Sequence, residues 1–163
     1  MATKHDFHKA IIGRSEFLSF VEYGIEKVPT KTDTGAFRSA VHASNIEVND
    51  DGTLSFDLLG GHPVCGTLAT RLTVSDYTKV WVANSFGQRE ERFEVKIKTK
   101  LGPKVFLARF TLADRSKKIY PVLLGRKLLN HRFIVDSSET SIDRVTLKQA
   151  YGIDFPNDEE EGR

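Results

Sequence analysis

The run Lys31-Thr32-Asp33-Thr34-Gly35-Ala36 places one carboxylate in a Thr-Gly turn. Two carboxylates close enough that only one can ionise share a proton and titrate as a pair. The ionised member can take a proton from water while the protonated member polarises a carbonyl, which is the division of labour that acid–base hydrolysis needs. Gly35 has no Cβ, so its backbone N–H can close on a carboxylate. The Thr34 hydroxyl can donate to backbone across such a site. Taken by itself, the triplet also reads as an ordinary surface turn, for which these residues are favoured. A second signal lies far downstream. Pro121-Val122-Leu123-Leu124-Gly125-Arg126-Lys127-Leu128-Leu129 sets an apolar strand before Gly-Arg and a short apolar helix. Asp-Thr-Gly occurs once; Asp136-Ser137-Ser138 is the nearest imitation and lacks the glycine. One chain therefore supplies half of a two-carboxylate site. The expectation is a two-fold homodimer with Asp33 of each subunit meeting on the axis, a symmetric association of the common kind.

The elements that must position these residues are short strands. Apolar residues recur mostly with period two, and turn residues punctuate them. Strands are predicted over 16–21, 27–33, 40–48, 53–59, 71–75, 79–83, 89–99, 104–112 and 119–124. Asp51-Gly52, Asn84-Ser85-Phe86-Gly87 and Leu101-Gly102-Pro103 read as turns between them. Helices are predicted over 126–131 and 145–151 only. So many closely spaced strands imply an all-β, closed, barrel-like fold with one or two short helices.

A chain of 163 residues with 39% hydrophobic and 28% charged residues suits a globular domain with a core. Residues 1–152 read as one domain and 153–163 as an acidic, disordered tail. No apolar run approaches the roughly 20 residues of a membrane span. The polar start, with His5 and His8, has no signal-peptide pattern. Cys65 is the single cysteine, which suits a reducing cytoplasm. Net charge is +2; the last seven residues hold four acids and one base, leaving the body near +5. That bias is too mild for a nucleic-acid footprint, so neither nucleic acid nor membrane is expected as a partner.

Three segments together resemble a bacterial family of retropepsin-like proteins often labelled putative ATP-dependent zinc proteases. They are Ile12-Gly13-Arg14 through Asp33-Thr34-Gly35-Ala36 to His42-Ala43, then Ser85-Phe86-Gly87-Gln88-Arg89-Glu90-Glu91-Arg92, then Asp114-Arg115 through Leu123-Leu124-Gly125-Arg126 to Asp136. The resemblance implies the retropepsin (acid protease) fold, a homodimer and a catalytic loop of Asp33, Thr34 and Gly35. It implies that Gly125 and Arg126 brace that loop from the barrel wall. It also implies a flap, a hairpin closing over bound peptide. Ser85, Phe86, Gly87 and Gln88 fit the flap, and with Ala36 they are the expected substrate contacts. Viral members carry an acid after Asp-Thr-Gly-Ala that pairs with the Arg of Gly-Arg; here that position is Phe37, so Arg126 needs another partner. Thr32 replaces a usually apolar residue, and Phe37-Arg38 differs from the Arg/Lys-Thr pair of the bacterial family.

The zinc and ATP labels have no counterpart in the residues. There is no His-Glu-x-x-His helix and no Gly-x-x-x-x-Gly-Lys-Ser/Thr loop. His62-Pro63-Val64-Cys65 lacks further ligands, and His42 reads first as a structural histidine. No metal and no cofactor are expected. The leading reading is a cytoplasmic aspartic endopeptidase acting on peptide or protein, with glutamate-rich chains as a substrate class, because the family is discussed beside ligases that add glutamate tails. The rivals are a non-catalytic peptide-binding module on the same scaffold and a metal-dependent hydrolase using Asp33 and His42.

Overall fold

The computed structural model describes residues 9–84 and 86–152. Ser85, the tail at 153–163, and the start with His5 and His8 lie outside the described residues. Six strands form a closed ring. Around it run β2 (Ser15–Phe20), β8 (Arg89–Leu101), β9 (Lys104–Ala113), β4 (Ser39–Val48), β10 (Val122–Leu124) and β3 (Ile25–Thr32), which returns to β2. The short β10 is the closing piece. It lies parallel to β3, with Val122 opposite Thr30, and antiparallel to β4, with Val122 opposite Val41. A closed ring leaves no unpaired edge among its members.

Three strands extend the ring. β5 (Leu54–Leu58) pairs with the outer half of β4, and β6 (Thr70–Val74) pairs with β5. β7 (Tyr77–Ala83) pairs with the first half of β8 to make a projecting hairpin. The alternation along the strands decides which face is inside. On β8, Val95, Ile97, Thr99 and Leu101 are buried, while Lys98 and Lys100 between them are exposed. Phe20, Phe56 and Phe110 fill the centre, with the Phe20 and Phe110 rings edge to face at 5.7 Å.

The helices are short. α1 (Arg126–Leu129) buries Leu128 and Leu129. α2 (Arg144–Tyr151) is capped by Asp143, whose Oδ1 accepts from the Thr146 N–H at 2.7 Å. Gly152 ends it with φ 59°. Leu147 packs α2 on Val64, Ile119 and Tyr120, a small core apart from the barrel.

The predicted strands all form, with ends that either coincide or are shifted by at most three residues. Two further strands escape the period-two reading: β1 (Ala10–Gly13) and β11 (Phe133–Asp136), which pair in parallel as a separate ribbon. Each is four residues long, too short for alternation to show, and their pairing spans most of the chain. No described helix is long and apolar enough to cross a membrane.

Candidate active site

Asp33 follows directly on β3, and the loop 33–38 leads into β4. Its position is fixed by backbone. The Asp33 N–H donates to Leu124 O at 2.8 Å, so β10 sets where the loop leaves the sheet. Thr32 anchors the preceding residue: its N–H donates to Arg14 O at 2.9 Å and its buried hydroxyl donates to Gly13 O at 2.9 Å. This is the physical use of a threonine where an apolar residue is usual.

The carboxylate is half-buried. Its Oδ1 accepts the Gly35 N–H at 3.0 Å, and a Cβ on Gly35 would sit 3.3 Å from that oxygen. The Ala36 N–H closes the turn on Asp33 O at 3.2 Å. Thr34 and Gly35 are exposed, and among the described residues the Thr34 hydroxyl has no partner.

Gly125 and Arg126 meet this loop. The Arg126 guanidinium donates to Thr34 O at 3.1 Å and Gly35 O at 2.9 Å. Its backbone N–H donates to Ala36 O at 2.8 Å. Phe37 meets two cations: the Arg126 guanidinium lies 5.9 Å from its ring centre and that of Arg38 lies 5.6 Å away. The partner of Arg126 is thus a pair of carbonyls and an aromatic face, not a carboxylate. Gly125 is buried where the chain leaves Phe37, and a Cβ there would fall 2.5 Å from Arg38 O and 2.8 Å from Phe37 O. No side chain fits. The Gly125 N–H donates to the buried Ser39 Oγ at 2.9 Å.

The hairpin residues are placed at the tip joining β7 to β8. Asn84 organises the turn: its Oδ1 accepts from the N–H groups of Phe86 and Gln88, both at 3.0 Å. Gly87 has φ 77°, which favours glycine, and Phe86 is 88% exposed. Ser85 lies outside the described residues. No hydrogen bond joins Phe86, Gly87 or Gln88 to the Asp33 loop among the described residues. The link between hairpin and loop is instead on β8, where Glu94 pairs with Arg38 at 2.7 Å. Sequence reasoning missed Ser39, Arg38 and Glu94, because their partners lie more than 50 positions away and carry no local motif.

The histidines fall elsewhere. His42 and His62 are both buried, with ring centres 5.1 Å apart. Each ring is spent on backbone. His42 Nε2 donates to Gly60 O at 2.7 Å, and its Nδ1 accepts from the Arg115 N–H at 2.9 Å. His62 Nε2 lies 3.0 Å from Arg115 O and 2.9 Å from Lys118 O, and its Nδ1 accepts from the Val64 N–H at 3.1 Å. Burial pushes the His62 imidazole down to about 4 and the Cys65 thiol up to about 12. A zinc ion would need those nitrogens and a thiolate, so these residues do not fit one. Among the described residues, no group of three or more His, Cys, Asp or Glu is placed to hold a metal ion. Asp136, in the imitation triplet, turns its Oδ1 onto the Ser138 N–H and hydroxyl, and those bonds hold its carboxyl below the usual range.

Residues 11–146 match the family model described as RimB-like, retropepsin-like aspartic endopeptidase RimB. Among curated proteins, the chain is 32% identical over 155 residues to a probable alpha-L-glutamate ligase of Desulfotalea psychrophila, covering 90% of this chain. It is 28% identical over 155 residues to a protein of the same description from Shewanella halifaxensis, again over 90% of this chain. In both cases the chain spans only 33% of the relative's length. Among solved structures, a Legionella pneumophila protein of unknown function superposes with TM-score 0.63 at 27% identity, over 80% of this chain and 95% of that one. The fold, the Asp-Thr-Gly loop and the match over nearly the whole chain lead to one conclusion: the chain belongs to the RimB-like family of retropepsin-like aspartic endopeptidases.

Proposed function

We propose that this chain is one half of a homodimeric aspartic endopeptidase in which Asp33 of each subunit shares a proton and activates water. The observation that carries the reading is the Asp33 loop. Its carboxylate is half-exposed with one backbone donor on Oδ1, while Leu124 O, Arg126 and Gly125 fix the surrounding backbone. A rigid frame around an available carboxylate is what a preorganised acid–base site requires. The exposed Thr34 hydroxyl would donate to backbone of the second subunit. The hairpin at Phe86–Gln88 would cover substrate.

Glutamate-rich peptide or protein tails are the substrate class this reading favours. Its support is the matching of this chain to one third of proteins described as probable alpha-L-glutamate ligases. A non-catalytic peptide-binding module is the second reading, and the replacement of the expected acid by Phe37 favours it.

The test is cleavage of a diverse peptide library with glutamate-rich members, from acid to neutral pH, with and without chelator. Cleavage indifferent to chelator, by a protein that sediments as a dimer, is the expected result. Activity lost in chelator and restored by zinc would overturn the aspartic mechanism. Tight peptide binding without turnover would move the assignment to the binding module.

A further inference from the structure

Beyond the hairpin, β8 is part of the barrel wall, and Lys96, Lys98 and Lys100 stand at its alternate, outward positions. Their cross-strand partners on β9 are Arg109, Leu107 and Val105. Leu107 is 56% exposed and Val105 51%. At the end nearer the Asp33 loop, the same face holds Glu94, buried beneath three cations: Arg38 at 2.7 Å, Arg109 at 3.8 Å and Lys127 at 4.0 Å. Lys127 lies on α1 and donates its backbone N–H to Phe37 O at 2.9 Å, so the cationic face begins beside the candidate site.

The charge on this face is not balanced. Lys96 pairs with Asp76 at 3.0 Å, but Lys98 and Lys100 have no ion-pair partner among the described residues. Some strand cations do pair, Arg71 with Glu47 and Asp57, Arg92 with Glu90, and Lys79 with Glu91, while Lys27, Arg89 and Lys104 have no ion pair among the described residues but do not stand in a row as Lys96, Lys98 and Lys100 do.

We propose that the outer β8–β9 face is an exosite for an extended, glutamate-rich peptide. The inference rests on the peptidase reading above and extends it to how such a substrate is held. Alternate side chains of a strand recur about every 6.7 Å, and so do the carboxylates on one face of an extended glutamate run. Lys96, Lys98 and Lys100 can therefore meet successive carboxylates in register, while Leu107 and Val105 pack against the methylene stems. Each exposed pair contributes little alone, so binding comes from several together and weakens with salt. The exposed residues beside the lysines are aliphatic and offer no ring for base stacking, which disfavours single-stranded nucleic acid. A flat strand face is also unlike the amphipathic helix that embeds in an anionic bilayer.

The test uses the Asp33→Asn protein, so that peptide is not consumed. Fluorescence anisotropy reads its affinity for a labelled decaglutamate peptide. The same measurement is made after adding Lys98→Glu with Lys100→Glu, and separately Lys98→Gln with Lys100→Gln; thermal unfolding checks that each is folded. Charge reversal is expected to weaken binding about tenfold and neutralisation about threefold, with both differences vanishing at high salt. Equal affinity in all three proteins would overturn the exosite. So would an oligonucleotide, or phosphatidylserine vesicles, binding this face more tightly than the peptide and losing that binding in the same variants. Failure of the wild type to cleave any peptide would count against the peptidase reading alone, because binding is read without turnover.

Discussion

The chain carries two groups of chemically capable side chains, and the fold treats them in opposite ways. Asp33 sits at the end of a strand with its carboxylate half-exposed and, among the described residues, only the Gly35 N–H bonded to Oδ1. His42 and His62 sit a few ångströms apart in the interior with every ring nitrogen bonded to backbone. The first pairs a fixed backbone with an available reactive group. The second spends its reactive groups on tying the loop after β5 to the segment between β9 and β10. Residue type alone does not separate a site from a strut; the presence or absence of satisfied partners does.

The sharpest way to break the comparison is to remove the carboxylate. Asp33→Asn keeps an oxygen for the Gly35 N–H but cannot act as a base, so peptide turnover should fall by at least about a thousandfold. The thermal midpoint should not move. Full activity in this variant would sink the mechanism.

The buried pair should answer in stability rather than chemistry. His62→Ala removes the ring's bonds to Val64 N–H, Arg115 O and Lys118 O and opens a cavity in the interior, costing about 2–4 kcal/mol in denaturant unfolding. The same histidine sets a pH dependence. Its folded value, about 4, lies below the ordinary 6.5, so the unfolded chain binds the proton more readily. Stability is therefore full above pH 6.5 and declines as pH falls towards 4, by about 3 kcal/mol at most. His62→Gln should flatten that slope. An unchanged slope would show that another group carries it. Any acid limb of an activity profile in this window must be checked against unfolding before it is assigned to the Asp pair.

Smaller effects test the frame around Asp33. Gly125→Ala drives a Cβ to 2.5 Å from Arg38 O. It should cost about 1–3 kcal/mol of stability and lower turnover with it. Arg126→Leu keeps the helix but loses the bonds to Thr34 O and Gly35 O. The arginine is exposed, so stability should change by about 1 kcal/mol or less, while turnover drops about tenfold through a loosened loop. A wild-type rate in Arg126→Leu would mean that the backbone bonds alone hold the site.

Much of this was legible in the sequence. The period-two runs marked the strands of the barrel, Asp33-Thr34-Gly35 and Gly125-Arg126 marked two segments that the fold brings into contact, and Asn84, Phe86 and Gly87 fall at the turn between β7 and β8. What escaped was non-local. The β1–β11 ribbon joins segments more than 120 positions apart, and neither strand is long enough to show alternation. The partner of Arg126 was unreadable because carbonyl oxygens carry no sequence signal. Phe37 looked only like a departure, yet its ring centre lies 5.9 Å from the Arg126 guanidinium, a contact that the sequence did not announce. His42 and His62 lie 20 positions apart with no shared motif, and only the closed barrel brings them together.

The central claim is that each catalytic centre needs Asp33 from two copies of this chain. Subunit mixing tests it directly: wild-type protein is equilibrated with increasing Asp33→Asn protein, and cleavage is measured per wild-type chain. A shared site predicts a dominant loss, with activity per wild-type chain falling to about half at an equimolar ratio and towards zero in excess mutant. Activity per wild-type chain that stays constant at every ratio would show that one Asp33 suffices and would contradict the account.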